Sequence, residues 1–292
     1  MPPETPRPLD VRPFFPPLRE SLTALLDGLD GEDWNRPVTS AWRVRDVVAH
    51  LLDTDLRRLA VERDGHFPPP PTGPIDSFDD LVGFLDQLNA TWVTAAKRLS
   101  PRMLVELLAW SGPRVEATFA DQDLHADATF GVAWAGQERS PVWFDIAREL
   151  TEKWHHQQQI RDAVGAPPID DAEILGAVLD TFVRGLPWAY RSAGVPVGTR
   201  IGLILEGQVS RAWVLEPRDL EWALIIGTGS DATDASITLP SDVAWKLFSG
   251  RMTGDAARVD ARTEGPNELV DPVFAYVAFM VNQPPPAAPG TP

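Results

Sequence analysis

Residues 43–63 read RVRDVVAHLLDTDLRRLAVER, and this stretch decides how the first half of the chain is read. Val44, Val47, Val48, Leu51, Leu52, Leu56 and Leu59 recur at spacings of three and four, the period of one face of an α-helix. Asp46 falls in the first turn, where the helix dipole favours a negative charge. His50 lies near the middle, close to the apolar stripe. The same period appears on either side. Leu18, Leu22, Leu25, Leu26 and Leu29 predict a helix over 14–29. FDDLVGFLDQLNATWVTAAKRL predicts one over 78–99, capped by Asp76 or Ser77. PVWFDIARELTEKWHHQQQIRDAV predicts one over 141–164, opened by Pro141 and stopped by Gly165. A further helix is expected over 171–193, kinked or ended at Pro187. Residues 103–134 are ambiguous, with weak alternation in RVEATFA, and read as an insert able to cover a pocket.

Beyond Gly194 the pattern changes. RIGLILEG, SRAWVLEP and LEWALIIG are short β-rich runs between turn residues and suggest an antiparallel meander. ASITL adds a strand, SDVAWKLFSGR a helix stopped by Gly250, and ELVDPVFAYVAFMV a last helix over 268–281 with Pro272 in its first turn. The expected organisation is an extension over 1–13, a helical bundle over 14–194, a small α+β domain over 199–281 and a disordered tail over 282–292 (the end reads QPPPAAPGTP).

Composition narrows the function. The 292 residues hold 26 Lys and Arg against 42 Asp and Glu, a net charge of −16. Such a chain repels nucleic acid and anionic membrane, and no basic cluster offsets this, so neither partner is expected. No apolar run approaches a membrane span and no secretory signal is visible, which makes the cytoplasm the default. Cysteine is absent. That excludes disulfides, thiolate ligands and a protein-borne thiol nucleophile.

The five histidines are His50, His66, His125, His155 and His156. Glu152 and His156 are four apart on a predicted helix, so carboxylate and imidazole share a face. With His50 from a neighbouring helix they form a ligand set suited to zinc, nickel or ferrous iron, with positions open for water or substrate. The bland alternative is a surface helix pair and a satisfied core histidine. Carboxylates are 42 of 292 residues, so about one histidine in seven has one four positions earlier by composition alone. Gln159, three residues past His156, is placed to orient a ligand.

Three stretches carry a resemblance. WNRPVTSAWRVRDVVAHLLDTD (34–55) resembles the signature of the DinB-like superfamily in Trp34, Pro37, Trp42, a Val-rich helix start and His50–Leu51. ELTEKWHHQQQIRDAVG (149–165) resembles the later helix of its mycothiol-dependent maleylpyruvate isomerase branch: Glu-x-x-x-His, an acidic residue three positions on, Leu or Ile, then Ala-x-Gly. Glu152, His156, Ile160, Ala163 and Gly165 fit. Gln159 stands in place of the acidic residue, and Arg43 in place of the helix-start Ser or Thr. ASITLPSDVAWKLFSGRMTGDAARV (235–259) looks like the sterol-carrier-like domain that follows the bundle in this branch.

The resemblance, over about 14–280, implies a four-helix-type bundle with an α+β C-terminal domain. It also implies one divalent ion, zinc first, held by His50, Glu152 and His156. The implied activity is a metal-dependent isomerase or transferase using mycothiol or another small thiol on a small organic substrate. Arg251 is the candidate for contacting a carboxylate or the cofactor, with a helix C-terminal charge as its bland alternative. Trp154, between Glu152 and His156, is the candidate aromatic wall of a cofactor pocket. Two other classes stay open: a metal-binding stress or regulatory module without turnover, and a metal-assisted hydrolase.

Overall fold

The computed structural model describes residues 4–71, 73–218 and 221–279. The first of its two compact units comprises Asp10–Thr129 and Pro141–Asp170. It is built from α1 (Phe15–Asp27), α2 (Val44–Arg58), α3 (Phe78–Ala96), α4 (Pro101–Ala120) and α5 (Val142–Val164). Helix α2 runs on into a π-helical turn over Leu59–Arg63. Its stripe forms the core of the unit: Val44, Val47, Val48, Leu51 and Leu52 pack with Leu26, Trp34, Ala96, Leu104, Leu108 and Ile160. Each buried Val, Leu or Ile side chain contributes about 1.5–3 kcal/mol of burial energy.

Helix starts follow local chemistry. Ser77 Oγ accepts the backbone N–H of Asp80, and Ser100 Oγ that of Met103. Helix α5 ends at Gly165, whose φ of +69° is the left-handed conformation of a helix stop. Arginine has no acceptor, so Arg43 cannot cap α2 with its side chain. Instead Asp46 Oδ2 accepts the Arg43 backbone N–H at 3.0 Å, the returning half of a capping box.

Helix α4 differs from the expected 103–134 insert. It is 20 residues long and has Pro113 inside it. Its buried residues, Leu104, Leu108, Ser111, Val115 and Phe119, keep helical spacing, but Ser111 breaks the apolar run and Gly112–Pro113 imitates a turn. Ser111 is buried because its hydroxyl donates to Asp55 of α2 at 2.6 Å.

The second unit comprises the described residues up to Leu9, Phe130–Ser140 and the described residues from Asp171 onward. This differs from a boundary at 194–199, because the helices over 172–189 pack with the sheet. They are α6 (Ala172–Val183) and α7 (Leu186–Ala189), the latter with Pro187 in its first turn. Five strands follow: β1 (Ile201–Glu206), β2 (Arg211–Arg218), β3 (Glu221–Ile226), β4 (Ala235–Pro240) and β5 (Arg262–Glu264), in the order β3-β2-β1-β4-β5. The first three form the expected meander, whereas β4 returns to pair parallel with β1. The sheet is therefore mixed. Helices α8 (Ser241–Phe248), α9 (Gly254–Asp260) and α10 (Asn267–Ala275) complete the unit. Pro272 sits in the second turn of α10, and the helix ends three residues later. The segment preceding the bundle belongs here too: Glu4 accepts the backbone N–H of Ile226 at the β3 edge, and Pro6 accepts from Arg184. The expected 282–292 tail lies outside the described residues.

Ion pairs join α2 to α5 in the first unit. Arg58, 4% exposed, binds Asp145 and Glu149 of α5 and Glu62 of the π-helical turn. Lys153 binds Asp55. Burial alone would raise the carboxyls of Asp145 and Glu149, but the Arg58 guanidinium, with Arg148 and for Glu149 also Lys153, holds both below the usual carboxylate range. Removing Arg58 would strand buried carboxylates. Arg58→Ala is expected to cost about 3–5 kcal/mol of unfolding free energy, read by urea denaturation. Depressed carboxylates stabilise the fold above their ordinary pKa, so wild-type stability should fall as pH drops below about 4. That dependence should be shallower in the variant. An Arg58→Ala protein as stable as wild type would mean the network is not structural.

Candidate metal centre

The same two helices carry the site. Contacts run from Arg58 with Asp145, through Asp55 with Lys153, to His50 with His156, so rising numbers on α5 meet falling numbers on α2. The helices are antiparallel. On α5, Asp145, Glu149 and Lys153 follow one another at four-residue steps and make the ion pairs. Glu152, His156 and Gln159 lie on an adjacent face.

There the side chains of His50, Glu152 and His156 converge, each offering a ligand atom within 4.8 Å of the others. Nε2 of His156 lies 3.2 Å from Oε2 of Glu152, and its Nδ1 lies 2.8 Å from Oε1 of Gln159. The His50 and His156 rings meet edge to face with centroids 4.8 Å apart. His50 is buried, and its Nδ1 has no hydrogen-bond partner among the described residues. Burial pushes its imidazole well below the usual pKa, and the nearby His156, Arg57 and Lys153 push the same way against Glu149. It is therefore held neutral, the form that offers a lone pair to a cation. Two imidazoles and one carboxylate, with a buried ring nitrogen left over, fit a divalent ion.

Trp42 forms one wall. Its ring centroid is 5.0 Å from that of His50 and 6.3 Å from that of His156. Thr39 sets the turn that places it, with its Oγ1 accepting the Trp42 backbone N–H and its own backbone N–H donating to the Trp42 carbonyl. On α3, Trp92 Nε1 donates to the carbonyl of Ala49, the residue before His50.

The other expected residues lie on a different face of α5 or on other elements. Trp154 is buried and lies two residues from both Glu152 and His156, so its side chain leaves α5 on a different side. Arg251 follows α8 in the second unit, its guanidinium 6.0 Å from the centre of the Trp245 ring. His125 is in an exposed turn. The sequence reading missed Arg58, Lys153 and Asp55, because charged residues on an amphipathic helix read as its solvated face. A pocket of about 590 Å³, counting its open mouth, is lined by α1, α2, α4 and α5. Its walls include Leu51, Lys153 and Gln157, the residue after each member of the triad, so it opens on a neighbouring side of α2 and α5.

The family model described as the mycothiol maleylpyruvate isomerase N-terminal domain matches residues 15–161, half of the chain. The chain belongs to the mycothiol maleylpyruvate isomerase family. Two solved structures share the fold. The crystal structure of a histidine-to-alanine mutant of the mycothiol-dependent maleylpyruvate isomerase is 12% identical, with a TM-score of 0.52 over 87% of this chain and 93% of that one. The non-mutant crystal structure is also 12% identical, with a TM-score of 0.51 over 82% and 88%. No curated protein matches the sequence. Among the described residues, no helix is long and apolar enough to cross a membrane.

The position of His50 depends on where α2 begins, which Asp46 helps to set. Asp46→Ala should cost about 1 kcal/mol, within the usual 0.5–2 kcal/mol of a lost cap, in urea unfolding. An unchanged midpoint would show that the bond at the helix start adds nothing.

Proposed function

We propose that this member of the mycothiol maleylpyruvate isomerase family is a metal-dependent enzyme. It uses a low-molecular-weight thiol, mycothiol first, as an isomerase or transferase on a small organic substrate. The convergence of His50, Glu152 and His156 on one point is the observation that carries this reading. These residues would hold the ion, with zinc the best match to two imidazoles and a carboxylate. When bound, such an ion lowers the pKa of a coordinated thiol or water and polarises a substrate oxygen.

The chain's own residues supply the setting. Burial keeps the His50 imidazole neutral, so it does not compete with the ion by carrying a proton. Glu152 brings one negative charge against the ion's two, leaving the centre cationic and attractive to an anionic thiolate or carboxylate. The Trp42 ring shields one side of both imidazoles from water. Having no cysteine, the chain must take its nucleophilic thiol from a small molecule. Arg251 remains our candidate cation for a carboxylate of substrate or cofactor.

The test is elemental analysis of purified protein with a mycothiol titration followed by tryptophan fluorescence. Wild type is expected to carry about one metal equivalent and to bind the thiol only when loaded. His50→Ala and Glu152→Ala should each lose the metal and the thiol response together. Turnover, tried first with maleylpyruvate, should require the thiol. Both variants keeping a full equivalent at wild-type affinity would sink the site. A loaded protein indifferent to thiols would point to a hydrolase if it turns over an amide, and to a regulatory module if it turns over nothing.

A further inference from the structure

The ring of His156 has an oxygen facing each of its two nitrogens. Oε1 of Gln159 faces Nδ1 at 2.8 Å, and Oε2 of Glu152 faces Nε2 at 3.2 Å. An amide oxygen has no hydrogen to give, so the Gln159 contact is a hydrogen bond only if Nδ1 carries the proton. Neutral imidazole has one N–H, and placing it on Nδ1 leaves a lone pair on Nε2. That lone pair then points at a carboxylate oxygen, an arrangement that is repulsive unless Nε2 also takes a proton or both atoms share a cation. Gln159 is one turn past His156 on α5 and half-buried, so its amide is held where the ring needs it.

We infer that Gln159 is a positioning residue that locks His156 as its Nδ1–H tautomer, making Nε2 the coordinating atom. It does so without adding a second carboxylate to the site. A carboxylate at this position would accept the same hydrogen but push negative charge through the ring towards the ion. An amide fixes the orientation and leaves the ion's charge less neutralised. The chain thus separates two jobs that one acidic residue would combine: aiming the ligand and tuning the ion.

This inference rests on the metal reading above, and its test separates the two. Zinc affinity is measured by chelator competition on wild type, Gln159→Leu and Gln159→Glu, each checked for wild-type circular dichroism. The protonated nitrogen of His156 is read by long-range proton–nitrogen NMR, with and without zinc. Leucine keeps the bulk and removes the acceptor, so Gln159→Leu should bind zinc about 10–100-fold more weakly. Its His156 should lose the single Nδ1–H form. Gln159→Glu restores an acceptor and should bind at least as tightly as wild type, with Nδ1–H retained. Wild-type zinc affinity in a folded Gln159→Leu overturns the inference while leaving the metal site intact. If Gln159→Leu does not fold, Gln159→Glu decides, and a tenfold loss there overturns it. Failure of wild type to bind zinc removes the metal reading. In that case alone the NMR decides: an Nδ1–H form of wild type that disappears in Gln159→Leu upholds the tautomer lock, and one that persists overturns it.

Discussion

The register between α2 and α5 is the constraint on which the site depends. Arg58 and Lys153 reach across the helix pair to carboxylates that water cannot reach, and each bond can be made in only one axial alignment. His50 lies eight residues before Arg58, about 12 Å along its helix at 1.5 Å per residue. His156 lies eleven residues past Asp145, about 16 Å in the opposite sense. The Arg58–Asp145 pair thus sits about two to three turns from the imidazoles and the Lys153–Asp55 pair about one turn, and together they act as a key for them. Desolvating these charges cancels much of their Coulomb gain, so their value lies in alignment more than in net stability. An apolar contact between the same helices would tolerate a slide that moved His50 away from Glu152.

Helix α5 bears an uncommon load for a core element. Asp145, Glu149, Thr151, His155, Gln157 and Gln158 are all buried. Such groups are tolerated inside a protein only when partners meet them. Asp145 and Glu149 meet Arg58; Gln158 accepts the backbone N–H of Ile169. One face of the helix is consumed by structure and the next is left for chemistry. This division lets Glu152 and His156, both largely but not fully buried, keep a defined geometry.

Much of this was legible in the sequence where period and punctuation agree. The α2 stripe, the Ser77 cap and the Gly165 stop are local signals, and the structure repeats them. The triad was legible as a candidate because Glu152 and His156 share a helix face and His50 sits in a motif that also contains Trp42. Helix α4 was not, because Ser111 sits in its apolar stripe and Gly112–Pro113 looks like a turn. What lets Ser111 sit in that stripe is its hydroxyl's bond to Asp55, 56 residues earlier. The parallel pairing of β4 with β1 was equally invisible, since strand order is a long-range property. Arg58 and Lys153 read as solvated charges, and only tertiary structure shows that they are enclosed.

The path of the chain between α4 and α5 has a further consequence. Residues 130–140 leave the bundle and pack in the sheet-bearing unit, where Val132 and Trp134 are buried and a Cβ on Gly136 would strike the ring of Trp188. The chain then returns to build the helix that holds Glu152 and His156. Neither unit is a contiguous stretch of the gene. Cutting at residue 170 would give a piece whose own middle lacks its partners, and a remainder with a hole where that loop belongs. Such interlacing ties the two halves into one inheritable whole, and discourages swapping the C-terminal part for another by simple recombination.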